Sequence, residues 1–329
     1  MTVLAPTLQS FFTDYLAKQR NASTHTTAAY RDTWKLLLTF TAGRTGTPAS
    51  RIDIAHLNAT LIAAFLDHLE HERGNSIRTR NARLAAIHSL FHYAALRHPE
   101  HAADINRVLA IPPKRYERTI VDFLTEPEAT ALLAAPDRTT RTGRRDHAII
   151  ELALATGLRA SELTALTRDD VHLGTGAHVS CHGKGRKERI TPIDRATVST
   201  LRAHLAEKPA NGHGPLFTTN RGTAMTRDGL EQRLTLHARR AAEHCPTLNS
   251  KKITPHVLRH TTAMRLLRAG VETTVIALWL GHESAETTQI YLHADLGLKE
   301  RALARTAPSH IPPGRYQPPD NILAFLEGL

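Results

Sequence analysis

Pro112 and Pro113 stand side by side in the run Ile111-Pro112-Pro113-Lys114-Arg115-Tyr116-Glu117-Arg118. Consecutive prolines fix φ and lack backbone donors, so neither a helix interior nor a central strand can pass through them. With cations following them they read as an extended basic linker over residues 108–118. The chain must therefore fold as one body before this point and another after it. The pattern predicts a helical domain over residues 1–107, a mixed domain over 119–300 and a proline-rich tail over 301–329. A chain of 329 residues is long enough to give each of the two larger parts a core of its own.

Ahead of the prolines the apolar residues recur at helical spacing. Leu8, Phe11, Phe12, Tyr15 and Leu16 predict a helix over residues 8–18. Capping residues at 21–24 introduce a second, with Tyr30, Trp34, Leu37, Leu38 and Phe40 on its apolar side, broken by the stretch from Gly43 to Pro48. A third runs over 58–73 with Leu61, Ile62, Phe65, Leu66 and Leu69. After a turn at Gly74-Asn75-Ser76, a fourth runs over 77–96 with Leu84, Ile87, Leu90, Phe91 and Ala94. Hydroxyls and cations gather at two of these starts: Thr24, His25 and Arg31 on the second helix, and Arg78, Arg80 and Arg83 on the fourth. Such groups suit DNA phosphates, although a solvated helix end looks the same in sequence.

The charge balance agrees with a polyanionic partner: 42 Lys and Arg against 31 Asp and Glu, a net +11. Two cysteines, Cys181 and Cys245, offer no disulfide framework and fit a reducing cytoplasm. No secretory leader pattern opens the chain, and the most apolar run, 148–158, is too short to span a bilayer and contains Glu151, so no membrane partner is expected. His68/His71 and His88/His92 have metal-ligand spacing. Acids (Asp67, Glu70, Glu72) flank only the first pair, and with 21 histidines such spacings arise by coincidence. No metal and no cofactor is expected.

The chemistry-bearing residues fall after the prolines. Thr125 with Glu128 forms a capping box. Asp146 reads as the start of a helix that Gly157 ends, which leaves Arg159 in a tight turn before the next helix, with Glu162 placed to hold it. Residues 178–181 and 188–191 read as a hairpin whose tip, Gly183-Lys184-Gly185-Arg186-Lys187, can lean over a DNA strand. Spacing alone does not choose between Lys184 and Lys187. Helices follow over 194–207 and 226–244, the second bearing Arg227, Arg233, Arg239 and Arg240. Thr254 caps a helix opened by Pro255, with His256 and Arg259 on one face of its first turn, where the helix dipole favours an anion. His256 and His260 share the spacing of a zinc motif, but Val257 stands where that motif needs glutamate. Leu280-Gly281-His282 ends another short helix, and Tyr291 lies two turns along the last one. Two imidazoles, fixed cations and a phenol are what a phosphoryl transfer needs when a tyrosine attacks phosphorus.

Taken together, Arg159, Lys184, His256-x-x-Arg259, His282 and Tyr291 resemble the full signature of the tyrosine recombinase (phage integrase) family. The strings Ala-Thr-Gly-Leu-Arg, Gly-Lys-Gly, Pro-His-x-Leu-Arg-His, Leu-Gly-His and Thr-Thr-Gln-Ile-Tyr are similar to those of its Xer and integron/transposon-type members. The resemblance covers residues 8–293 and departs from the pattern at no catalytic position. It implies a mainly α fold with a small β component: a SAM-like helical core-binding domain followed by a mixed α+β catalytic domain, clamped about duplex DNA. It assigns the hairpin lysine to Lys184 and the nucleophile to Tyr291, in preference to Tyr116 or Tyr316, and implies a 3′-phosphotyrosine formed without metal or ATP.

On that footing Arg159 and Arg259 would grip non-bridging phosphate oxygens, with Glu162 behind Arg159. Lys184 would protonate the departing 5′ oxygen, His256 would take the tyrosine proton and His282 would bond a phosphate oxygen. Lys114, Arg115, Arg186, Lys187 and Arg227 join Thr24, His25, Arg31, Arg78, Arg80 and Arg83 as candidate DNA contacts. The implied partners are a duplex with an inverted-repeat-type site and a homotetramer at synapsis, or one shared with a second recombinase. The short apolar helix of 321–326, behind a proline-rich link, suits docking on a neighbouring protomer. A type IB topoisomerase, a metal-dependent tyrosine nickase and a decayed DNA-binding protein are the alternative readings. Integration, excision, resolution and transposition are not distinguished by sequence.

Overall fold

Helix starts in this chain are set by short polar side chains. Ser23, Asn58, Ser76, Thr125, Thr140, Asp194, Thr226 and Thr254 each accept a hydrogen bond from the backbone N–H three residues on. Each satisfies a donor that the helix itself leaves unpaired. The structure, a computed structural model, describes residues 4–116, 122–182, 188–207 and 214–281. Its contacts divide the chain into two units, Met1–Arg118 and Thr119–Leu329.

In the first unit α1 (Leu4–Ser10) continues as a π-helical stretch, Phe11–Gln19. It is followed by α2 (Thr24–Thr45), α3 (Ala59–His71), α4 (Ile77–Ala95) and α5 (Ala102–Leu109). Trp34 and Leu37 of α2, Ile62, Phe65 and Leu66 of α3, and Ile87 and Leu90 of α4 close on one another with almost no exposure. Each such side chain contributes roughly 2 kcal/mol of burial. α2 ends at Gly46 with φ +69°, inside the stretch 43–48 expected to break it. One expectation is corrected here: helical structure continues to residue 109, because Ile105 and Val108 of α5 are buried against α3 and α4 where the linker was expected to begin.

Among the described residues of the second unit the α-helices are α6 (Glu126–Ala134), α7 (Arg141–Thr156), α8 (Ala160–Ala165), α9 (Arg195–Ala206), α10 (Arg227–Ala242), α11 (Pro255–Arg268) and α12 (Thr273–Leu280). Between α8 and α9 lies an antiparallel sheet in the order β1 (Val171–His172), β2 (His178–His182), β3 (Glu188–Pro192), with Cys181 opposite Arg189. The apolar run of α7, from Ala148 to Leu154, is the centre of the core and packs on α6, α9 and α11. The buried hydroxyl of Thr262 ties α11 to α7 by donating to the carbonyl of Leu154 at 2.9 Å. Among the described residues no helix is long and apolar enough to cross a membrane.

Asp146 does not start a helix as its sequence position predicts. Capped by Thr140, α7 begins at Arg141, five residues ahead of its expected start, and Asp146 falls inside, 1% exposed. There its carboxylate accepts from Arg145 Nη2 at 2.6 Å, Arg233 Nε at 2.6 Å and His237 Nε2 at 2.8 Å, joining α7 to α10. Burial pushes this carboxyl up, but the bonds from His237, Arg145 and Arg233 outweigh it and hold it below the ordinary range. Asp146→Ala leaves cations stranded in the core. The substitution should lower stability by about 3 kcal/mol, read as a fall in the urea midpoint at unchanged slope.

Candidate active site

Gly157 ends α7 with φ +64°, a conformation that favours glycine, and a Cβ there would lie 2.5 Å from Leu280 Cδ2. The chain thus turns sharply, and Arg159 becomes the residue before α8. Glu162 closes the turn: its Oε2 accepts from the Arg159 backbone N–H at 2.8 Å and its Oε1 from Arg159 Nη1 at 2.8 Å. The carboxylate side chain is only 4% exposed, against 29% for Arg159.

A second arginine shares that carboxylate. Arg189 on β3 donates through Nη1 to Oε1 at 2.9 Å and through Nη2 to Oε2 at 2.7 Å, a two-pronged pairing. Sequence reasoning passed over Arg189. The available signal was period two along 188–192, which puts residues 189 and 191 on one face; the inward face carries Arg189 and Thr191, while Ile190 is 64% exposed. Burial pushes Glu162 up, yet its bonds to Arg189 and to Arg159 carry it down to about 2. Nearby, burial pushes the Cys181 thiol up to about 11, which removes it as a nucleophile at neutral pH.

The turn that ends α12 draws in the arginines from separate parts of the chain. Arg159 Nη2 donates to the Gly281 carbonyl at 2.6 Å. Arg259, 2% exposed on α11, donates through Nη2 to the adjacent Leu280 carbonyl at 2.6 Å and through Nη1 to the Gly157 carbonyl at 2.7 Å. Gly281 itself has φ +64°, and a Cβ on it would lie 2.8 Å from Arg189 Nη1. His256, in the first turn of α11, is exposed, while His260 one turn on is buried; their rings meet edge to face with centroids 4.5 Å apart.

Lys184, Arg186, Lys187, His282, Tyr291 and the tail lie outside the described residues. Of the candidate DNA contacts, Thr24, His25, Arg31, Arg78, Arg115 and Arg227 are exposed. Arg80, also expected as a DNA contact, is 6% exposed, with Nε 3.7 Å from Glu70. Glu70 also accepts from Lys114 Nζ at 2.7 Å, and Arg83 donates to Thr33 Oγ1 at 2.9 Å, so these cations serve internal contacts as well. Among the described residues no group of three or more His, Cys, Asp or Glu side chains is placed to hold a metal.

Because Glu162 is depressed in the fold, its contribution to stability is fully present above its ordinary value of 4.5 and is lost as pH falls toward about 2. Glu162→Gln should therefore flatten the acid limb of the stability curve between those two values, as followed by urea unfolding at successive pH.

Residues 122–296 match the phage integrase family, and residues 10–98 match the phage integrase N-terminal SAM-like domain. The chain is 54% identical over 326 residues to the y4rC protein of Sinorhizobium fredii, provisionally named an integrase/recombinase, covering 99% of this chain and 98% of that one. It is 34% identical to the tyrosine recombinase XerC of Pelobacter propionicus, over 86% of this chain and 89% of that one. In three dimensions it is similar to the Tn1549 transposon integrase in complex with transposon right-end DNA. That likeness has a TM-score of 0.67 at 20% identity and covers 94% of this chain and 100% of the other.

Proposed function

The chain belongs to the phage integrase family of tyrosine recombinases, which cut and rejoin DNA, and we propose that Tyr291 is its nucleophile and that Arg159, Lys184, His256, Arg259 and His282 serve the same phosphate. The observation that carries this reading is the meeting of Arg159 and Arg259 on the consecutive carbonyls of Gly281 and Leu280, directly ahead of His282. Two guanidiniums held in fixed planes stabilise charge where it builds up without reorganising at the moment of reaction.

In the proposed step Tyr291 Oη attacks phosphorus and its proton passes to His256. The bond from phosphorus to the 5′ oxygen breaks, and that oxygen takes a proton from Lys184. Arg159, Arg259 and His282 neutralise the non-bridging oxygens of the pentacoordinate state. The product is a 3′-phosphotyrosine and a free 5′-hydroxyl. A 5′-hydroxyl from a partner strand then attacks the phosphotyrosine, restores a phosphodiester and returns the phenol. The number of phosphoester bonds is conserved, so the exchange needs no ATP, and the cationic donors supply the charge stabilisation the transition state requires. Duplex DNA is the substrate on this reading, with the exposed polar residues of α2 and α4 in the first unit and Arg227 in the second set against its phosphates. Four copies of the chain would assemble at synapsis, each tail docking its last helix on a neighbour.

Two experiments test this. A library of nicked duplexes of randomised sequence, incubated with the protein and resolved under denaturing conditions, should yield covalent adducts whose sequencing gives the target site. Formation should persist in EDTA. Tyr291→Phe should bind the selected duplex but give no adduct; an adduct that survives assigns the nucleophile elsewhere. Deleting residues 321–329 should leave binding to a single site intact and abolish recombination between two; full recombination by the shortened chain would exclude docking in trans.

A further inference from the structure

We propose that Arg189 is a positioning residue for strand cleavage, acting on the scissile phosphate through Glu162 and Arg159; this rests on the assignment of Arg159 above. Glu162 offers two oxygens, and Arg159 occupies both, one through its backbone N–H and one through Nη1. With no other partner, the carboxylate would neutralise Arg159 and leave the pair with no net charge to offer a phosphate. Arg189 binds both oxygens as well, so three charged groups sum to +1 and the positive charge of Arg159 remains available to an incoming anion.

The geometry around Arg189 fits this role. Its side chain is 12% exposed on the inward face of β3, beside the buried Thr191, while Ile190 on the opposite face is exposed. Arg189 also fills the space beside Gly281, where the carbonyl accepts from Arg159. One guanidinium thus abuts both anchors of Arg159: the carboxylate on α8 and the turn after α12. Its strand, β3, is also one of the two that bracket residues 183–187, the segment containing Lys184.

The experiment uses the full chain and the duplex selected by covalent capture, nicked so that cleavage cannot reverse. A second version carries a methylphosphonate at the cleaved linkage, which removes the negative charge. Arg189→Met should slow adduct formation on the phosphodiester by roughly 100-fold while the Kd for uncut duplex changes by no more than about threefold. On the methylphosphonate the deficit should shrink to about tenfold or less, because the lost charge no longer has an anion to meet. Arg189→Lys restores the charge without the two-pronged pairing and should recover about tenfold of the loss on the phosphodiester. Equal deficits on the two linkages, or a lysine variant no faster than the methionine one, would mean that Arg189 only fastens β3 to α8, and the proposal is then wrong. Should Arg189→Met fail to fold, as judged by circular dichroism, the lysine variant compared on the two linkages decides alone. Failure of the underlying assignment looks different: Tyr291→Phe or Arg159→Ala would then still form the adduct at the wild-type rate.

Discussion

The Glu162 carboxylate is the interaction on which this structure turns. It is nearly sealed from water, and it binds one cation from a loop and another from a strand. A buried charge of this kind is costly unless paired, and a carboxylate with one partner would be satisfied and electrically silent. With two guanidiniums it becomes a scaffold: it fixes the direction of each while the sum remains positive. Burial pushes the carboxyl up, but the bonds from Arg189 and Arg159 carry it down to about 2, so the fold favours the ionised form. The helix dipole of α11, with His256 in its first turn, adds to the same potential.

The backbone turns are fitted around that centre. Gly157 and Gly281 both adopt positive φ, and both are hemmed in by the neighbours they serve. Their carbonyls are acceptors for the arginines: Gly157 for Arg259, Gly281 for Arg159. A glycine here is therefore required twice, for its dihedral angle and for the absence of a side chain. The strings that carry the family resemblance, Thr-Gly-Leu-Arg and Leu-Gly-His, consist of one such turn with its cation or imidazole.

Much of this was legible in the sequence, for a physical reason. Capping residues, glycine stops and apolar spacing are local signals, and they located α3, α4, α6, α9, α10, α11 and α12 closely. The pairing of Arg159 with Glu162 was also local, three residues apart within one turn. What escaped is what depends on distance along the chain. Arg189 meets Glu162 across 27 residues; alternation in its strand groups it with Thr191 but does not say which of the two faces is turned inward. Asp146 has the sequence look of a helix start because acids favour that position, whereas its partners Arg233 and His237 lie roughly ninety residues on. Arg80 read as a surface cation for the same reason, its acid being Glu70 on the preceding helix. α5 was overlooked because a two-turn helix with only Ile105 and Val108 buried carries little periodicity.

The hold of the first unit reaches past its last helix to Lys114. Asn81 grips the Lys114 backbone from both sides, accepting from its N–H and donating to its carbonyl, and Glu70 takes its ammonium. Lys114 thus follows the two prolines that end the helical pattern, yet three side-chain hydrogen bonds from α3 and α4 fix its backbone and its ammonium, so its charge is placed by the fold of the first unit.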